Sequence, residues 1–236
     1  MKLLKKLTPY YVVIIIIFAF AAISLNKTVT VVTENSGFLP GHCIIIDAGH
    51  GQPDGGATSC TGVLESDINL EIALKLQDFC HLLGFRTIMT RTTEDSVYTE
   101  GETIASKKIS DVKNRVGIAA NTPNAIFVSI HQNHFLQPQY HGAQVFYNAV
   151  GESAGLAKLL QDQFVKTINP GSNRKAKRSE GVYIMKNIPC EGILIECGFL
   201  SNPEEEALLR THSYQLKVCA VVATGLSSFL NARDIT

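Results

Sequence analysis

A surplus of charge is missing from this sequence: 21 lysines and arginines face 21 aspartates and glutamates over 236 residues. Proteins that grip nucleic acid through its phosphates carry a basic excess, so that class of partner is set aside. The six cysteines include no CxxC pair, and most lie in apolar runs such as "HCIII" and "IECGF". That is the pattern of buried free thiols, since cysteine packs as a small hydrophobe, although one disulfide stays open in an exported protein. A phosphate loop is missing too. "GQPDGGAT", Gly51 to Thr58, has the glycine spacing but carries Ala57 where the lysine belongs, and the helical pattern resumes only near Asp67. No internal repeat, wall-binding repeat or second domain is visible, and the length suits one domain with an ample core.

What is present begins at the N-terminus. Lys2, Lys5 and Lys6 precede "YYVVIIIIFAFAAISL", 16 residues without a charge. This reads as a membrane-targeting segment over residues 1–25, expected to remain as an anchor with its lysines on the cytoplasmic side and the rest of the chain exported. Residues 26–41 are polar and β-branched and end in Pro40 and Gly41, a linker to a domain spanning 42–236.

Within that domain apolar runs alternate with helical periodicity. Cys43–Asp47, "FRTIMT", Ala125–Ile130, "AQVFYN" and Gly192–Glu196 read as strands. Helices are expected through Ile68, Ile72, Leu76 and Leu83, through Val112 to Ala120, through Leu156 to Ile168, and through Tyr214 to Phe229. The alternation predicts an α/β fold: a single domain with a mixed, mostly parallel sheet flanked by helices on both faces. Ligands of such sheets sit beyond the carboxyl ends of the strands.

Three chemically capable residues fall at strand ends. His50 follows the first strand, His131 follows "AIFVSI" directly, and Glu196 ends "GILIE". Glu65 joins them from the loop before the first helix. Two imidazoles and a carboxylate suit zinc with an open fourth position for water, whose pKa zinc lowers toward about 7. A second carboxylate must then accept the proton and pass it to the leaving nitrogen, the role assigned to Glu196. Each residue has a plainer reading. Glu65 at a helix start would favour the dipole, and a histidine beside a glycine turn is often only hydrogen-bonded. Glu196 inside "ILIECGF" resists such a reading, because an unpartnered carboxylate there is costly to bury. Together the four point to function.

The order and spacing of "IIIDAGHGQPDGGA", "LESDINLEIALKL", "TIMTR", "NRVGIAAN", "FVSIHQNH" and "GILIECGFLSNPEE" resemble the zinc-dependent N-acetylmuramoyl-L-alanine amidases of the type 3 class, from about Cys43 to Phe229. The resemblance places the zinc ligands on His50, Glu65 and His131 and the catalytic glutamate on Glu196. It implies one zinc per chain, peptidoglycan as the partner, and hydrolysis of the amide joining the lactyl group of N-acetylmuramic acid to L-alanine. Ala48 and Gln52 depart from the family pattern, which often has proline and glycine there, without touching a ligand. An N-terminal membrane segment on a bare catalytic domain is similar to the germination-specific amidases that help form muramic-δ-lactam in the spore cortex. The implied place of action is outside the cytoplasmic membrane, in the wall or cortex.

Further candidates concern the substrate. Arg91 closes "TIMTR" and Arg115 lies in the second expected helix; each is expected either to fork onto a peptide carboxylate or to form an internal salt bridge. Asn133, two residues after His131, is a candidate to orient the ligand or the substrate amide. His134 and His141 read as surface residues. "NRKAKRSEG", Asn173 to Gly181, concentrates basic side chains, either as a solvated face or as an approach to an anionic partner. Two rival readings stay open from the residues alone: a zinc peptidase acting on stem-peptide bonds, and a wall-binding scaffold, silent in itself or dependent on an activating protein.

Overall fold

A computed structural model describes residues 42–233 of the chain. The expected membrane segment and linker lie outside these residues, and among the described residues no helix is long and apolar enough to cross a membrane. The elements in chain order are β1 (Cys43–Ala48), α1 (Glu65–Leu82), β2 (Arg86–Met89), α2 (Ile104–Ala120), β3 (Ala125–Asn133) and β4 (Gln144–Tyr147). They continue with α3 (Ser153–Thr167), β5 (Lys177–Arg178), α4 (Tyr183–Asn187), β6 (Glu191–Phe199), α5 (Pro203–Leu209) and α6 (His212–Arg233).

A strand as apolar as "CIIIDA" has no face to give to water, and all six residues of β1 are buried. It pairs in parallel with β2 and β3, and β3 pairs in parallel with β6. Only β4 reverses, running antiparallel to β6 with β5 alongside it, so the sheet order is β2-β1-β3-β6-β4-β5. Strand alternation then sorts the core into two layers. Ile44, Ile46, Ile126, Val128, Ile193 and Ile195 pack with α1, α3 and α6 on one face. Ile45, Phe127 and Leu194 pack with α2 and α4 on the other. The expected mixed sheet with helices on both faces is the observed one.

Three short elements had no visible period in the sequence. α5 starts from an Asn202 cap, whose side chain accepts from the N–H groups of Glu204 and Glu205, with Pro203 in the first turn. α4 is five residues long, and β5 is two residues inside the basic segment. Also, α1 begins at Glu65 itself, and α2 is longer than the apolar positions indicate because Thr103 and Ser106 close a capping box at its start. The parallel register sets Ala48 opposite Ile130 and His131 opposite Glu196. The carboxyl ends of β1, β3 and β6 therefore lie at one edge of the sheet.

Candidate metal centre and active site

The loop after β1 turns sharply at His50, which adopts φ 60°, a left-handed conformation that residues other than glycine rarely take. It is held there from two sides. The Arg115 Nη2 donates to the His50 carbonyl at 2.5 Å, and the His50 Nδ1 pairs with Asp54 Oδ2 at 3.0 Å. The other ring nitrogen, Nε2, faces Glu65 Oε2 at 3.3 Å, while His131 Nδ1 lies 2.9 Å from Glu65 Oε1. The two rings meet edge to face at 5.0 Å. Side-chain ligand atoms of His50, Glu65 and His131 all fall within 4.8 Å of one another.

Glu65 is fixed by donors on both oxygens. Oε2 accepts from Ala57 N–H at 3.0 Å; Oε1 accepts from Gln132 N–H at 3.1 Å and from Asn69 Nδ2 at 3.2 Å. Burial alone would raise its pKa, but His131 and His50 outweigh burial and hold the carboxyl well below the usual range. For His50 the sum runs the same way. Burial lowers it, yet Asp54 and Glu65 together hold it up at about 9. Two imidazoles thus converge on one ionised carboxylate, an arrangement that a metal cation could take in place of the histidine protons.

The donor set fits zinc. Two imidazole nitrogens and a carboxylate oxygen, one from each residue and all within 4.8 Å of one another, are the ligand types that zinc takes. A carboxylate on the outer nitrogen of a ligand histidine, as Asp54 is on His50, is the usual support of such a site. The surroundings leave no slack. A Cβ at Gly49 would fall within the His131 ring, and one at Gly56 would lie 2.6 Å from Glu65 Oε2 and 2.8 Å from His50 Cδ2.

Glu196 stands beside His131 as its register partner on β6. Its Oε2 is buried and without a hydrogen bond, and burial, with the nearby Glu65 charge, raises the carboxyl to about 7 against the pull of His131 and His50. A group that loses its proton near neutral pH is matched to proton transfer. The cluster opens onto a cleft of about 210 Å³, bounded by α2 and the start of α4. Lys108, Val112, Val182 and Tyr183 form its outer wall.

Of the two arginines, Arg115 follows the internal-salt-bridge expectation and Arg91 is bonded internally to carbonyls. Arg115 is 1% exposed: Nε pairs with Asp111 at 2.9 Å, Nη1 with Asp47 at 2.6 Å, and further donors meet the Ala48 and His50 carbonyls. Burial would raise Asp47, but the Arg115 charge and the Ser129 hydroxyl hold it below the usual carboxylate range. Arg91 is 4% exposed and donates to the carbonyls of Ala48, Gly49, Ser66 and Thr93, with no carboxylate partner among the described residues. Both guanidinia give donors to carbonyls of the strand-end turn, which need buried partners, and Arg115 also borders the cleft. Asn133 ends β3 where its pairing with β6 slips, and its carbonyl accepts from Leu200 N–H. Orientation of the cluster comes instead from Asp54 and from Asn69, which also donates to Gly49 O. Asn69 is one helical turn beyond Glu65, a spacing that places it on the same face. His134 and His141 are exposed, and all six cysteines are free, with Cys43, Cys80, Cys197 and Cys219 buried.

A parallel-rich α/β sheet with a two-histidine, one-carboxylate cluster and a part-buried glutamate at its carboxyl edge has the make-up of a metal-dependent hydrolase. Comparison with known proteins narrows this. The family model described as N-acetylmuramoyl-L-alanine amidase matches residues 44–228, and the chain belongs to that family. It is 36% identical over 197 residues to the germination-specific N-acetylmuramoyl-L-alanine amidase of Bacillus subtilis, covering 83% of this chain and 82% of that protein. Among solved structures, the CwlD amidase from Clostridioides difficile in complex with the GerS lipoprotein matches with a TM-score of 0.77 and 38% identity, over 80% of this chain and 98% of that one. AmiC2 of Nostoc punctiforme matches with a TM-score of 0.67 and 26% identity, over 81% and 98%.

Proposed function

We propose that this chain cleaves the amide between the lactyl group of N-acetylmuramic acid and L-alanine in peptidoglycan, with His50, Glu65 and His131 as zinc ligands and Glu196 as the proton carrier. The single observation that supports the assignment most is the convergence of the three ligand atoms beside a buried, unpaired Glu196 oxygen. When bound, zinc supplies a Lewis acid that polarises the carbonyl and makes water acidic near neutral pH. The protein's own groups do the rest. Asp54 holds the His50 ring with its inner nitrogen toward Glu65. Glu65 is kept ionised and immobile by Ala57, Asn69 and Gln132. Glu196 takes a proton from the attacking water and returns it to the departing L-alanine nitrogen, so that the amine leaves neutral. The cleft walls of Val112, Val182 and Tyr183 seat the substrate and exclude bulk water.

The test is Glu196→Gln. The variant keeps the zinc and loses about 10²–10⁴-fold in the release of stem peptides. Since the ionised form is the base, wild-type kcat/KM rises with pH and levels above about 7, a bound dication moving the inflection downward. A Glu196→Gln enzyme with wild-type turnover would remove Glu196 from the reaction.

The biological setting is proposed from the relatives. The germination-specific relative supports a role in spore-cortex modification, with formation of muramic-δ-lactam as the downstream result. The CwlD relative, solved in complex with a lipoprotein, supports an exported protein partner for this chain. We assign residues 1–25 to a membrane anchor, 26–41 to a tether and 42–236 to the catalytic domain, acting outside the cytoplasmic membrane. The lysine-flanked apolar run and a family match that begins at residue 44 support that division.

A further inference from the structure

Arg91 and Arg115 spend their donors internally and Lys108 in the cleft wall is paired with Asp54, so the basic groove beside β4 stands as a separate candidate for the peptide side of the substrate. We propose that the groove at the start of β4, beside β5 on the outer side of the sheet, binds a free carboxylate of the stem peptide, with Arg174 as the residue that selects it. The proposal rests on the amidase reading.

The groove holds about 680 Å³ and is lined by Tyr140, His141, Gln144, Arg174, Lys175 and Lys177 among others, with no acidic side chain in its wall. Arg174 is not a loose surface arginine. Its Nε donates to the His141 carbonyl at 3.0 Å, its Nη1 to Gln144 Oε1 at 3.4 Å, and its guanidinium lies over the Phe199 ring at 4.9 Å. Nη2 makes no hydrogen bond among the described residues, so an ordered fork presents an open donor to the groove. A guanidinium fixed in advance loses little freedom on meeting a carboxylate. Glu205, whose charge acts on the same corner, forms no ion pair with Arg174; its oxygens accept from Gly142 and Phe199 N–H.

Position gives the groove its link to the reaction. Gln144, which Arg174 touches, is the register partner of Glu196 across the β4–β6 pair. Paired strands place such residues about 4.5–5.5 Å apart, so the guanidinium lies roughly one strand and one side-chain contact from the proton carrier. A peptide leaving the scissile nitrogen advances about 3.3–3.6 Å per residue, which carries the carboxylate of the second residue about 7 Å along. The half-exposed Phe135 and Tyr140 rings, 5.4 Å apart and both packed by Phe199, form an apolar wall beside that path.

The test measures binding by calorimetry with the full zinc-loaded chain, in a Glu196→Gln background that prevents turnover. The probes are N-acetylmuramoyl-L-alanyl-D-glutamate with its γ-carboxyl blocked as the methylamide, which leaves one free carboxylate, and the same compound with its α-carboxyl amidated as well. The acid should bind about 10- to 100-fold more tightly than the amide, the range for a hydrogen bond between charged groups. Arg174→Gln should abolish that preference without changing the affinity for the amide, and Arg174→Lys should retain part of it. Equal binding of acid and amide, no binding of either, or a preference that survives in Arg174→Gln overturns the proposal. So does binding of a soluble polyglycerol phosphate that is lost in Arg174→Gln while acid and amide bind alike, which would assign the groove to an anionic wall polymer. The amidase reading is judged separately, by whether the wild-type chain releases peptide from either probe. No release with the acid preference intact would refute the reaction and leave the carboxylate site standing.

Discussion

His50 combines a left-handed backbone with two external restraints, and each restraint has a distinct consequence. Strain of this kind persists only where its surroundings over-determine it, and functional sites are where it collects. Asp54 is the restraint on the ring. Its carboxyl is held well below the usual range, first by His50 and against burial, with Lys108 Nζ 2.9 Å away adding to the effect. Asp54→Ala should weaken zinc binding about 10- to 100-fold in a chelator competition while leaving the circular dichroism spectrum unchanged. An affinity within twofold of wild type would show that Asp54 does not orient the ligand. His50, His131 and Glu196 were legible in sequence as candidates because each lies at or just past the end of an apolar strand, whereas Glu65 was legible only as an acidic residue before a helix. Asp54 and Asn69 were not. A turn aspartate and a helical asparagine have ordinary explanations until the loop folds back and brings them to His50, Glu65 and Gly49.

At the scale of elements, the site is assembled by connections between layers. Arg115 ties α2 to the end of β1 through Asp47, Asp111 and the carbonyls of Ala48 and His50. Glu206 on α5 ties down the loop before α1, accepting from Ser59 Oγ at 3.1 Å and Thr61 Oγ1 at 2.5 Å. A buried ion pair broken from one side leaves its partner charged and unsolvated, at a cost of about 3–5 kcal/mol. Arg115→Met should therefore lower the urea-unfolding free energy by about that much, and weaken zinc binding as well because the His50 turn loses its anchor. A loss below 0.5 kcal/mol, roughly the level of an exposed substitution, would contradict the tie. The long strands and helices were readable from periodicity, since each buries one repeating face. α4, α5 and β5 were not, because five, seven and two residues are too few to display a period. The two arginines show a similar limit: sequence marks a guanidinium near a site without showing whether carbonyls already take its donors.

For the whole molecule, the sheet order decides what the sequence separates by 146 residues and the reaction needs together. β1, β3 and β6 are adjacent and parallel, so His50, His131 and Glu196 share one edge, and α1 delivers Glu65 to the same place. Neutral net charge suits an exported enzyme whose substrate contacts are local rather than steered by a global field. That charge is nonetheless uneven, with Arg174, Lys175 and Lys177 gathered in one groove. The order of three neighbouring parallel strands was foreseeable as a class, but the reversal of β4 was not, because an apolar run carries no sign of its direction.

The most direct measurement is product analysis by mass spectrometry after incubating purified peptidoglycan with the zinc-loaded chain, alongside the His50→Ala variant. The proposed reaction predicts free stem peptides with an unblocked L-alanine amine, glycan strands left intact, and neither product from His50→Ala. Peptides cut internally with the muramyl–L-alanine amide still in place, or no cleavage by a chain that carries one zinc, would contradict it.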